Sequence, residues 1–191
     1  MGGLQGIMQK SHYKGVFFMK ILLAIIVTTF LSGCMSDSKQ FISTKKNSNT
    51  IIGVERVYVS VPKDGVYGHI NYGGSGINVS RIVTMAFSKY NGVVESAFRY
   101  QSFEDAMQYA KDNKYEYLVF PTILGWEDRA TEWSGIPDKV SVKIVIFNVK
   151  TEKILSSAII KGKSGWATFG GDHPQDLLPE PIEKYTDSLF L

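Results

Sequence analysis

Apolar positions along the chain follow distinct rhythms, and each predicts an element. Val54, Val57, Tyr58, Val59 and Val61 form a β-branched and aromatic run stopped by Pro62, the pattern of a buried first strand. Val79, Ile82, Val83, Ala86, Phe87 and Tyr90 recur at spacings of three and one, which predicts an amphipathic helix ended by Asn91-Gly92. A short strand follows at 93–98. Ser102-Phe103-Glu104-Asp105 has the form of a capping box, with Ser102 accepting from the Asp105 amide and the Asp105 carboxylate reaching back. Phe103, Ala106, Met107 and Ala110 then share one face of a second helix that ends near Asn113. Residues 115–124 read as a third strand, in which Pro121 suggests a bulge or an open strand edge. Val140, Val142, Ile144 and Ile146 alternate along a fourth strand, and the polar turn 150–153 leads into a fifth at 154–160. Leu177, Leu178, Ile182, Tyr185, Leu189 and Phe190 predict a last helix, interrupted early by Pro179 and Pro181.

The order β-α-β-α-β-β-β-α implies an α/β (α+β) fold: one domain over residues 51–191, in two or three layers, around a mixed five-stranded sheet. Two crossovers make the first three strands parallel, and the hairpins make the fifth parallel to the third. The first, third and fifth strands therefore end at one edge. The irregular loops 63–76, 125–138 and 164–174 should gather there, where open sheets of this kind usually hold ligands.

Upstream of the domain, Lys20 precedes an apolar stretch, Ile21 to Leu31, that closes on Ser32-Gly33-Cys34. A basic residue, a short apolar core and small residues at its end make a secretory signal. The stretch is too short to span a bilayer, which needs about 20 apolar residues. Leu31-Ser32-Gly33-Cys34 resembles a bacterial lipobox, whose cysteine is alkylated with diacylglycerol and becomes the mature N-terminus. Residues 1–33 would then be signal peptide, with Met19 as an alternative start to Met1. The polar, aperiodic segment 34–50 reads as the lipidated cysteine and a flexible tether. The resemblance to lipoproteins further implies palmitate on Cys34. With Met35-Ser36 after the cysteine and no Asp, it also implies a place on the periplasmic side of the outer membrane, held by the N-terminal lipid.

Charge narrows the partners. The chain has 21 Lys and Arg against 18 Asp and Glu, but Lys10, Lys14 and Lys20 lie in the leader. The remainder is balanced, which argues against nucleic acid as a partner. The one cysteine leaves no disulfide within the chain.

The loops hold the candidate chemistry. Trp126, Glu127, Asp128, Arg129, Glu132 and Trp133 follow the third strand; Trp166, Asp172 and His173 follow the fifth. Trp and Arg are enriched at binding hot spots, and aromatic faces beside carboxylates suit sugars. The plainer alternative is that the tryptophans cap the core while Arg129 pairs with Glu127, Asp128 or Glu132. Glu127, Glu132 and Asp172 could form a glycosidase-type pair if held at the right separation. Ser164, His173 and Asp128 could be drawn as a triad, but no Gly-x-Ser-x-Gly elbow supports it. His69, Asp172 and His173 match no metal-site spacing, and neither metal nor cofactor is expected. Gly73-Gly74-Ser75-Gly76 lacks the lysine of a P-loop and reads as a turn.

Val57-Tyr58-Val59-Ser60-Val61-Pro62, the stretch Trp126 to Gly135 and Gly170-Gly171-Asp172-His173-Pro174 resemble a family of gammaproteobacterial lipoproteins known as a domain of unknown function. The likeness covers most of residues 50–190 and brings no catalytic residues. In element order alone the chain is similar to the periplasmic domains of the curli-secretion lipoprotein, TolB and penicillin-binding-protein activators. The function expected is a non-enzymatic accessory or binding module with an envelope protein or peptidoglycan as partner. A glycan hydrolase and a structural subunit of a secretion or ring complex are the alternatives.

Overall fold

The computed structural model describes residues 37–46, 55–129, 136–165 and 173–190, with 41 and 43–46 as backbone only. The elements are β1 (Ser38–Lys46), β2 (Arg56–Val61), β3 (Gly65–Tyr67), β4 (Ile70–Tyr72), α1 (Ser75–Phe87), β5 (Val93–Tyr100), α2 (Phe103–Asp112), β6 (Tyr117–Glu127), β7 (Lys139–Asn148), β8 (Ile154–Lys163), a 3-10 turn (Pro174–Leu177) and α3 (Pro179–Phe190). Six strands form one mixed sheet in the order β1-β8-β7-β6-β2-β5, and β3 and β4 form a separate hairpin. β2 runs parallel to β5 and β6, and the remaining neighbours are antiparallel.

Both faces of the sheet are covered at β2. Val57 and Val59 of β2 face a large core closed by α1, α3 and the 3-10 turn, while Tyr58 between them faces a smaller core closed by α2. This two-sided burial explains why β2 reads as a continuous apolar run and not as an alternation. In β7, by contrast, Val140, Val142, Ile144 and Ile146 all enter the large core. Tyr185 of α3 is sunk in that core, donates to the Ser156 hydroxyl at 2.8 Å, and has its phenol pushed up to about 12 by burial.

Several expectations need correction. The sheet has six strands, not five, because Ser38–Lys46 is not tether. It pairs antiparallel with β8, from Ser38 opposite Lys163 to Lys46 opposite Ser156. An outer strand is held by its backbone ladder and tolerates Lys39, Lys45 and Lys46, so it needs no apolar rhythm. The 63–76 loop contains the β3–β4 hairpin, turned by Gly68 at φ 60. In β6 the register shift falls between Ile123 and Gly125, while Pro121 stays paired opposite Ile144. The β2 ladder on the other side of β6 stops at Val119, so the proline sits where one side is unpaired. Pro179 and Pro181 do not interrupt the last helix; they lie in its first turn, where a missing N–H is harmless. α1 ends at Phe87, and Tyr90 beyond it stacks on Phe190 at 4.4 Å. The Ser102 cap forms: Asp105 N donates to its hydroxyl oxygen at 3.1 Å, and the hydroxyl donates to the Asp105 carboxylate at 2.9 Å.

Candidate functional site

β2, β6 and β8 end at one edge, and the described parts of the three loops meet there. β6 runs three residues further than its pattern suggests, which carries Trp126 into the strand opposite Val140. Trp126 is only 2% exposed and belongs to the large core. Gly65 at the start of β3 lies on its indole, where an added Cβ would fall 2.5 Å from the Trp126 Cβ. Trp126 is thus the platform that seats the hairpin, and not a protruding contact.

Next to it, the Glu127 carboxylate holds the Arg129 guanidinium at 2.6 Å and meets Lys139 Nζ at 3.7 Å. The guanidinium lies 4.6 Å from the Tyr67 ring, tying the hairpin to the loop after β6. Asp138 is fully buried, and its carboxylate accepts from the Arg129 amide. Its own amide donates to the Ser164 hydroxyl at 2.8 Å, and Ser164 N donates to the Asp138 carbonyl at 3.0 Å, joining the second loop to the third. Tyr72 OH donates to the Asp128 carbonyl at 3.1 Å, and burial, then the charges of Asp128 and Asp138, raise its phenol above the usual value. The Asp128 carboxylate lies 3.5 Å from His173 Nδ1.

Between these groups opens a polar cleft of about 420 Å³, lined by Tyr72, Ser75, Asn78, Trp126, Asp128 and His173 among others. Its wall includes the N-terminus of α1, where Asp64 already accepts from Gly76 N at 2.7 Å and from the Ser75 hydroxyl at 3.4 Å. The cleft therefore offers amides, hydroxyls and one carboxylate–imidazole pair, a set suited to hydrogen bonding.

The edge brings together Trp126, Glu127, Asp128, Arg129 and His173 among the expected residues. Leu31, Ser32, Gly33, Cys34, Glu132, Trp133, Trp166 and Asp172 lie outside the described residues. Ser164, drawn above as a triad member, is buried with its hydroxyl on the Asp138 amide. His69 sits exposed in the hairpin turn. Tyr67, Tyr72 and Asp138 were not singled out from the sequence. Asp138, an acid directly before a strongly apolar strand, was the one legible signal.

A mixed sheet between helices, with one polar edge built by the loops after alternate strands, defines the class: an α+β domain with a strand-end cleft. Residues 50–189 match the family model described as "Domain of unknown function (DUF4823)", and the chain belongs to that family. Among curated proteins no match was found. Among solved structures the chain is similar to the PelC dodecamer from Paraburkholderia phytofirmans, at 14% identity and a TM-score of 0.60 over 80% of this chain and 97% of that one. More distant are lipoprotein GNA1162 from Neisseria meningitidis (12% identity, TM-score 0.38, 56% and 83% covered) and the LpoB C-terminal domain from Escherichia coli (12%, 0.36, 62% and 87%). Among the described residues no helix is long and apolar enough to cross a membrane.

Proposed function

We propose that this chain is a lipid-anchored envelope protein, held through Cys34 on the periplasmic side of the outer membrane, that acts by binding and not by catalysis. The observation that carries the reading is the use made of the edge carboxylates. Glu127 is clamped by Arg129 and Lys139, and Asp138 is consumed in joining loops. With Arg129 at 2.6 Å and Lys139 at 3.7 Å on its carboxylate, Glu127 is engaged in holding the loop and is not free to attack a substrate. What remains open is the cleft, whose hydrogen-bonding groups fit an envelope protein or a glycan. A photo-crosslinking residue at Asn78 or His173, on the cleft wall, is expected to give a discrete adduct in intact cells. One at Lys150, in the β7–β8 turn, is expected to give none. Equal products from all three positions would sink the reading.

A second reading, subunit of a ring, is favoured by one feature of β5. That strand is the open edge of the sheet, and it advances four residues, Ser96 to Tyr100, while β2 advances two. Phe98 sits in this bulge and is 97% exposed. A fully exposed phenylalanine on an unpaired edge suits a contact with another subunit, and the PelC of similar fold is a dodecamer. Light scattering on the detergent-solubilised chain is expected to find a multimer that Phe98→Glu dissociates to monomer. A wild-type chain that stays monomeric on concentration would count against assembly.

A further inference from the structure

β8 runs toward the cleft edge and β1 runs antiparallel to it, so β1 begins at that edge: Ser38 pairs with Lys163, the last residue of β8. Asp37 is fixed there, its carboxylate accepting from Gly165 N at 3.0 Å. Cys34 is three residues earlier, a span of at most about 10 Å of extended chain. Acyl chains carried by Cys34 would therefore enter a bilayer close to the edge that carries the loops, with no long leash between the two.

That edge bears an apolar finger. The β3–β4 hairpin projects Val66, 58% exposed, Ile70, 57% exposed, and Tyr67 around the two-residue turn Gly68-His69. Three-residue strands joined as an isolated pair are marginal in water, and three of their four exposed residues, Val66, Tyr67 and Ile70 beside Asn71, are aliphatic or aromatic where polar ones would serve solubility. The finger is fixed in direction by Gly65 on Trp126 and by Tyr67 under Arg129. Lys63, whose ammonium lies 5.3 Å from the Tyr100 ring, and Lys163, the exposed last residue of β8, stand at the same edge and bring positive charge to it for anionic lipid.

Resting on the proposal that Cys34 is acylated, we infer that this edge lies on the bilayer holding the anchor, with Val66, Tyr67 and Ile70 in the boundary between headgroups and acyl chains. The cleft beside the finger then opens toward the headgroup zone, so its partner is one that lives in or at the membrane.

The test uses the full lipidated chain in vesicles of phosphatidylethanolamine and phosphatidylglycerol. With Cys34 blocked by its thioether, His69→Cys and Ile70→Cys at the finger and Lys150→Cys at the opposite edge each supply a single thiol for an environment-sensitive fluorophore. Both finger positions are exposed, so neither change should disturb the core. The finger labels are expected to shift to the blue and to be roughly threefold or more better shielded from iodide than the Lys150 label, as an interfacial depth requires. Mass spectrometry of the same preparation reads acylation. Acylated protein with finger labels as open to iodide as the Lys150 label would overturn the docking and leave the anchor standing. Should the protein prove unacylated, the same variants are labelled on a Cys34→Ser background to keep one thiol, and finger labels that still shift on adding vesicles would keep the docking and remove the anchor. Neither signal would remove both.

Discussion

Trp126→Ala is expected to cost about 3–5 kcal/mol, the range for truncating a buried large aromatic. The indole is 2% exposed, packs in the large core and carries Gly65 on its face. Its removal leaves a cavity that the β6–β7 ladder on one side and β3 on the other can fill only by moving. Against a typical domain stability of 5–15 kcal/mol the loss is a large fraction. With an m-value near 2 kcal/mol/M, the urea midpoint should fall by about 2 M. The hairpin should loosen with it, which near-UV circular dichroism would register through Tyr67 and Tyr72. A tryptophan acting as a surface contact would behave differently, since exposed substitutions stay within about 0.5 kcal/mol. An unchanged midpoint would therefore return Trp126 to the list of binding residues and leave the seat of the hairpin unexplained.

The same tryptophan shows where the sequence was readable and where it was not. Long elements with a strong period were legible: the three-and-one spacing of α1, the Ser102 cap of α2 and the alternation of β7 each gave element and face together. From these followed the crossovers, the strand directions and the edge at which the loops meet. The Arg129–Glu127 pair was among the alternatives. Trp126 was read as loop because the bulge near Leu124 breaks the rhythm of β6 three residues before the strand ends. Beyond the bulge the ladder with β7 resumes and points the indole into the core. β1 was missed because an outer strand held by backbone bonds has no need of an apolar period, and Ser-Lys-Gln-Phe-Ile-Ser-Thr-Lys-Lys has none. β3 and β4 are three residues each, too short for a period to declare itself. These two misses matter together. Without β1 the proposed anchor would hang at the end of a long tether, and without the hairpin the edge proposed to face the bilayer would lack its apolar finger.

Cys34→Ser is expected to release the chain from the membrane pellet into the soluble fraction and to abolish incorporation of labelled palmitate. A serine hydroxyl offers no thiolate, so no thioether to diacylglycerol forms. The size of the effect follows from the two attachments being unequal. Each buried methylene contributes about 0.8 kcal/mol, so one myristoyl chain already gives an association constant of roughly 10⁴ M⁻¹, and two or more chains make the anchor stable. The finger supplies three side chains. Even fully buried, each would contribute only about 1.5–3 kcal/mol, and Val66, Tyr67 and Ile70 are partly covered before they reach lipid. On this proposal the finger alone would be a single marginal anchor: it would orient a protein that the lipid retains, without retaining it unaided. The serine variant should accordingly keep a weak affinity for anionic vesicles that falls as salt screens Lys63 and Lys163. Full retention of the serine variant in the pellet would mean that something other than an acylated thiol holds the chain. The three-residue spacing between Cys34 and Asp37 would then no longer fix which edge faces the bilayer.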